Sequence, residues 1–412
     1  MTASPATIAA RQRHTVRTLS ASQILTGVGV GSGVAAGSLI VADVTGSEGL
    51  AGLAQTCGVI GAAVAAVPLA RLSIRRGRRH GLVAGLALSA AGGGVVIVGA
   101  MTAHLLIILI GTSLVGVASA VGLQARYAAT DLAAAEHVAR DLSTVVWATT
   151  IGAVLGPNLM EPAAMLAEPL GLPRLSGAYI VTAAALSLSA VVIFSALRPD
   201  PLLLARGNEA DAEQAPHVTL RSSMRLVRSS ADATLGMAAL VIGHCVMVMV
   251  MVMTPVHMQH VDVTLSVVGL VISVHILGMF ALSPVVGIVA DRVGAKTVIV
   301  AGMAILGMAT LLAGTAAGDA VLQLGIGLFL LGLGWSCTLV AGSALLSSSV
   351  SEADRPAVQG AGDSVMNIAA AVGGAVAGLV VYYGSYAWLN VLAASLILPL
   401  ALLRARREPA RA

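Results

Sequence analysis

The 412 residues carry 23 Lys and Arg against 19 Asp and Glu, are 57% hydrophobic and 10% charged, and have a mean hydropathy of +0.93. A water-soluble domain holds about 25% charged residues, so this composition excludes one. The basic excess follows chain topology, as shown below, and nucleic acid is not an expected partner.

Apolar stretches of about 20 residues, the length that crosses a bilayer as a helix, recur along the chain. They cover roughly 19–42, 50–70, 81–102, 105–127, 142–162, 176–197, 233–256, 264–289, 297–316, 320–346, 357–382 and 385–403. The polar first 18 residues run straight into the first span, and no cleavable signal peptide is evident. All 23 Lys and Arg except Arg174 fall at the termini or at the even-to-odd loops. By the positive-inside rule both termini and the long central loop are therefore expected in the cytoplasm, and the chain in the plasma membrane. Cys57, Cys245 and Cys337 lie in separate expected spans without CxxC spacing, which reads as small buried hydrophobes rather than disulfides.

The hydrophilic stretch 198–232 divides six expected spans from six. The expected organisation is an N-terminal half (1–197), a cytoplasmic linker (198–232) and a C-terminal half (233–412). A duplication also surfaces in the loops between second and third spans of each half, "ARLSIRRGRR" (70–79) and "GIVADRVGAK" (287–296), with Gly77 opposite Gly294 and Arg75 opposite Arg292. The second of these resembles the signature loop of the major facilitator superfamily, Gly-x-x-x-Asp-Arg-x-Gly with basic residues after it. The resemblance implies an all-α membrane protein of twelve transmembrane helices in two pseudo-symmetric six-helix halves. It also implies a cytoplasmic latch made by Asp291 and Arg292, with Arg75 and Arg140 as further latch charges. The first-half copy departs from the pattern, because Ile74 stands where the Asp belongs. "GAVLGP" (152–157) resembles the fifth-span motif of proton-driven antiporters, with Met160-Glu161 in place of its trailing Gly-Gly. Close helix packing through small residues accounts for the same stretch.

The stretch "MVMVMVMTPVHMQH" (247–260) alternates like a half-buried strand. Inside a span it must be helical, since an isolated strand in lipid leaves its backbone unpaired. At about 100° per residue, His244, Met247 and Met251 share one helix face and Met249 and Met253 point the other way. In the next span "VHILGMF" (274–280) puts His275 and Met279 four apart, again on one face. A histidine inside a membrane is a functional candidate by default, and thioether with imidazole suits copper, Cu(I) above all. His257, Met258 and His260 are expected in the outer loop, where they could collect an ion. The pair of motifs, Met-x-x-x-Met at Met247 and Met251 and His-x-x-x-Met at His275 and Met279, resembles the copper importers of the CcoA type, themselves major facilitator proteins. Riboflavin transporters form a neighbouring branch. The plainer reading keeps the methionines as core or lipid-facing filler.

The eleventh expected span opens "RPAVQGAGDSVMN", with Gln359, Asp363 and Asn367 every fourth residue in one polar stripe. Asp363 is the candidate proton-coupling or switch carboxylate. Arg126, Asp131 and Arg140, around the inner ends of the fourth and fifth spans, read as gate and interface charges. No phosphate-cradling loop or catalytic constellation is present, so no enzyme and no resident cofactor are expected. The reading is a monomeric secondary transporter of a small solute or metal ion. It would work by alternating access, with copper as the preferred cargo and protons as a candidate coupling ion. The alternative is a proton-coupled exporter or exchanger of a small organic solute, including a riboflavin-type transporter. At 3% aromatic residues there is little to stack a flat ligand.

Overall fold

The computed structural model describes residues 5–46, 50, 52–206, 219–259 and 265–397. These residues hold sixteen α-helices and no strand. The first eight are α1 (Pro5–Thr45), α2 (Gly52–Arg76), α3 (Arg78–Met101), α4 (Leu105–Ala128), α5 (Val138–Asn158), α6 (Met160–Ala167), α7 (Gly177–Ala196) and α8 (Pro201–Arg206). The rest are α9 (Leu220–Ser229), α10 (Ala231–Gln259), α11 (Leu265–Phe280), α12 (Ser283–Val293), α13 (Ala295–Thr315), α14 (Val321–Ser348), α15 (Arg355–Tyr383) and α16 (Tyr386–Ser395). Among the described residues 11 helical stretches are long and apolar enough to cross a membrane, so the chain is a multi-pass membrane protein. Of the span expected at 385–403, α16 covers the first part and residues 398–403 lie outside the described residues.

Several boundaries differ from the sequence reading, each for a local reason. Helix α1 starts at Pro5, well before the apolar run, because Gln12, Thr15 and Leu19 recur on one buried face. Gln12 Nε2 donates to the Ala129 carbonyl at 2.6 Å and fixes that early turn. The expected eighth span breaks into α11 and α12 around Ala281–Leu282, where Pro284 opens the second helix. Ser283 Oγ donates there to the carbonyls of Phe280 (2.8 Å) and Ser143 (3.2 Å). Helix α10 runs through Pro255 to Gln259 instead of ending at 256. Proline removes one intrahelical donor, a loss that membrane helices tolerate when hydroxyls bind nearby carbonyls. Thr254 Oγ1 does this at the Val250 carbonyl, 2.8 Å away.

The chain forms two compact units, each made of discontinuous segments. Unit 1 comprises residues 1–134, 144–223 and 352–364; unit 2 comprises 135–143, 224–351 and 365–412. Each unit thus includes the first turns of a helix whose remainder belongs to the other, α15 for unit 1 and α5 for unit 2.

The same packing scheme appears in both. In unit 1, α4 lies on α2 and α3, and α7 on α1 and α3; in unit 2, α14 lies on α11 and α13, and α16 on α10 and α13. Small residues make the tightest of these contacts. A Cβ on Gly111 of α4 would stand 3.0 Å from the Gly92 carbonyl of α3, and one on Gly334 of α14 would stand 3.0 Å from the Gly302 carbonyl of α13. Close backbone approach of this kind is how membrane helices associate where lipid removes the hydrophobic drive. The loop glycines correspond as well. Gly77 and Gly294 both have φ of 90°, a conformation L side chains rarely adopt, and each starts the helix that follows.

Candidate functional site

Unit 2 contains the methionine and histidine set. His275 of α11 is fully buried, with Nδ1 2.8 Å from the Leu328 carbonyl of α14. A carbonyl only accepts, so Nδ1 carries the proton and Nε2 presents its lone pair. Nε2 is buried without a hydrogen-bond partner among the described residues. Gly332 of α14 allows the approach, since a Cβ there would collide with the α11 backbone at Met279 N, 2.7 Å away. Met279 follows one turn after His275 and is half-buried. On α10, Met247 is 3% exposed and Met251 half-buried. His244 Nδ1 accepts from Trp335 Nε1 at 2.8 Å, and the edge of Phe280 at the end of α11 meets the same indole at 5.5 Å. Trp335 therefore ties α10 and α11 to α14. Among the described residues no three His, Cys, Asp or Glu side chains converge as a metal site, so a metal ion held here would rely on thioethers.

The accessory set is placed differently from the sequence reading. His257 and Met258 are part of α10 rather than an outer loop. The His257 ring stacks on Tyr386 at 4.3 Å with Nε2 3.1 Å from the Ala316 carbonyl, and Met258 is fully buried. Continuation of the helix turns both toward the packing instead of leaving them in a loop. His260 lies outside the described residues. Met249, expected on the opposite face of α10 as lipid- or packing-facing filler, takes the packing role. Met249 is 2% exposed, with its sulfur 3.9 Å from Cys245 Sγ, and the pair rests where a Cβ on Gly373 of α15 would contact both. That face of α10 is packed protein, not lipid surface.

Unit 1 holds the buried charges. Arg126, at the C-terminal end of α4, donates from Nη2 to Asp363 Oδ1 at 2.7 Å, with side chains 1% and 0% exposed. The Tyr127 hydroxyl lies 3.1 Å from the same nitrogen, and the guanidinium stacks 4.5 Å over the Tyr127 ring. Arg78 makes a bidentate pair with Asp131, at 2.8 and 3.0 Å, and donates to Gln359 Oε1 at 2.7 Å. Burial raises the Asp131 carboxyl above its ordinary range, against the opposing pull of Arg78. Gln359 and Asp363 lie one turn apart on α15 and each receives one of these arginines. Asn367, the next residue of the stripe, is 7% exposed.

The latch residues divide in the same way. Asp291 caps the first turn of α5, accepting from the backbone N–H of Ala139 (2.9 Å) and Arg140 (2.8 Å). A carboxylate at a helix N-terminus satisfies free N–H groups and complements the helix dipole. Arg140 itself reaches Asp141 at 3.5 Å, and both Arg292 and Arg75 are exposed. The buried arginine of the first-half loop is Arg78, three residues beyond Arg75, which the sequence reading passed over. Its signal was its position directly after Gly77, where the positive-φ turn starts α3. "GAVLGP" packs α5 on α1: a Cβ on Gly152 would lie 2.7 Å from Val28 N, and one on Gly156 2.8 Å from Ser32 N.

The fold is that of an all-helical, multi-pass membrane protein with a packing scheme repeated between its units and a buried charge network. The chain belongs to the Major Facilitator Superfamily, whose sequence profile matches residues 19–264 and 237–412. It is 37% identical over 92% of its length to the uncharacterised MFS-type transporter YdeG of Bacillus subtilis, covering 88% of that protein. It is 27% identical to the riboflavin transporter RfnT of Brucella anthropi, over 74% of each chain. In fold it resembles the human organic anion transporter MFSD10 (TETRAN), at TM-score 0.73 and 18% identity over 95% of this chain and 99% of that one. The family and these relatives are transporters, so the protein is a transporter and not an enzyme.

Proposed function

We propose that this protein is a copper importer of the plasma membrane that works by alternating access, using thioether and imidazole ligands from α10 and α11. The observation that carries the reading is His275. Its Nδ1–H is committed to the Leu328 carbonyl, which leaves a neutral imidazole with a buried Nε2 lone pair and no partner among the described residues. An imidazole oriented through its other nitrogen is how proteins prepare histidine as a metal ligand. Met247, Met251 and Met279 supply soft sulfur at helical spacing on the same two helices, the chemistry that selects Cu(I).

The twelve-span arrangement, the cytoplasmic placement of both termini and a monomeric state are parts of the same proposal. They are supported by the distribution of Lys and Arg and by family membership. Asp363 serves as the proton or switch carboxylate, with Arg126 as its counter-ion, and Gln359 and Asn367 extend its polar stripe. Asp291, with Arg292, Arg75 and Arg140 near the same loops, forms the latch that steadies one conformation.

A second reading is favoured by one observation, the 27% identity to a riboflavin transporter. It makes the cargo a small organic solute moved in exchange for protons. Uptake of radiolabelled copper by cells with and without the protein separates the two. Copper accumulation that depends on the protein and is untouched by excess riboflavin is the expected result. Riboflavin uptake with no copper accumulation would transfer the proposal to the organic solute.

A further inference from the structure

We propose that a cleft in unit 1, where the ends of α2, α3 and α7 meet, binds one anionic glycerophospholipid by its headgroup phosphate. The cleft is lined by Leu72, Arg76, Arg79, His80, Val83 and Phe194, with Ala84 in its wall. Its two ends differ in chemistry. One is cationic: Arg76 and His80 are exposed, and Arg79 and Arg198 both stand over the Phe194 ring, at 5.5 and 5.2 Å. The other, formed by Leu72, Val83, Ala84 and Phe194, is apolar. Helix α3 carries exposed Leu88 and α7 exposed Leu188 and Val191, as surfaces in contact with acyl chains do.

The arginine side chains there are not paired with carboxylates. None of Arg76, Arg79 and Arg198 has a carboxylate partner among the described residues, and Arg79 Nε is buried without any hydrogen-bond partner. The carboxylate of Asp200 binds backbone groups: Oδ2 accepts from the Arg79 backbone N–H at 2.8 Å and Oδ1 from Leu202 N at 3.1 Å. Asp200 therefore satisfies the start of α3 and leaves the arginine side chains to another anion. Phosphate is the matching acceptor, since guanidinium groups bind it through paired N–H donors. A lipid phosphate fits better than a free one, because the cleft joins a basic rim to an apolar wall at the leaflet that the arginine-rich loops face.

The test uses the full chain, purified and placed in nanodiscs of phosphatidylcholine with or without phosphatidylglycerol, with retained lipid counted by native mass spectrometry after detergent release. One phosphatidylglycerol should stay on the wild-type protein in preference to phosphatidylcholine. Arg79→Gln with Arg198→Gln should weaken that retention about ten-fold or more, on the usual contribution of each arginine near an anionic surface. Arg13→Gln, which removes an exposed charge elsewhere, should leave it unchanged. Ala84→Trp, which fills the apolar wall and keeps every charge, should also displace the lipid. Equal retention across these variants, equal retention of phosphatidylcholine, or displacement by millimolar inorganic phosphate would each overturn the proposal, the last by making the site one for free anions. Copper uptake plays no part in the readout, so the result stands apart from the cargo assignment.

Discussion

In unit 1 the buried charged groups are ions held in pairs: Arg126 with Asp363, and Arg78 with Asp131 and Gln359. In unit 2 the ligand-type groups are neutral rings and sulfurs: His275 on a backbone carbonyl, half-buried His244 on Trp335, and the packed Met247 and Met249. The two solutions have opposite consequences. A buried ion costs several kcal/mol to desolvate and is tolerable only beside its counter-ion, so neither partner can be removed alone. A neutral imidazole or thioether costs far less to bury, so it can be replaced by an apolar side chain without unfolding the protein. Unit 1 thus couples stability to its polar residues more tightly than unit 2 does.

Removing a single charge from unit 1 should have the largest effect. Asp363→Leu or Arg126→Leu should each lower stability by about 3–5 kcal/mol, measured by thermal or denaturant unfolding of the purified protein. The double variant should recover most of that loss. Singles that unfold like wild type would mean the pair is hydrated and not truly buried.

The next largest effect belongs to unit 2 and concerns function alone. His275→Leu or Met247→Leu should abolish copper accumulation while membrane abundance and unfolding temperature stay near wild type, since leucine keeps comparable apolar bulk. A variant that loses uptake and folding together would give His275 a structural role instead.

Asp363→Asn sharpens the contrast within unit 1, because it removes the titratable charge but keeps shape and hydrogen-bonding ability. Turnover should fall more than cargo binding, and the dependence of transport on a proton gradient should weaken. Unaltered proton-dependent transport would reduce Asp363 to a structural contact.

Met251→Leu and Met279→Leu should lower uptake by less than Met247→Leu, since both are only half-buried and lie a turn away from Met247 and His275. The smallest effect is expected at Met249→Leu, where the change falls on packing against Cys245 and Gly373. Equal tolerance at Met247, Met249, Met251, His275 and Met279 would turn every methionine into filler and end the copper reading.

Much of this was legible along the chain. The alternating "MVMVMVM" could be read as helix before any coordinates, because lipid offers its backbone no other partner. Gly77 and Gly294 were paired by the repeated loops, and the structure gives them the same φ. Other features were hidden by distance or direction. Arg126 and Asp363 are 237 residues apart, and nothing local marks one as the partner of the other. Arg75 and Arg78 are near neighbours of the same type, yet only Arg78 turns inward, because the turn at Gly77 redirects the chain between them. His257 and Met258 looked like loop ligands because the apolar run ends near 256, whereas the Thr254–Tyr386 hydrogen bond and the stacking of His257 on Tyr386 pack the helix beyond it.

Composition, span length and the placement of arginines determined by themselves that this is a membrane protein and roughly where its helices run, while the superfamily was suggested by the resemblance carried in the loop at 287–296. These follow from the cost of unpaired backbone in lipid, which acts on every residue in the same way wherever it sits. Which arginine meets which aspartate, which face of α10 is packed, and which nitrogen of His275 is left open were decided by the tertiary structure alone. Such pairings depend on ångström-scale contacts between helices far apart in sequence, and no local pattern encodes them.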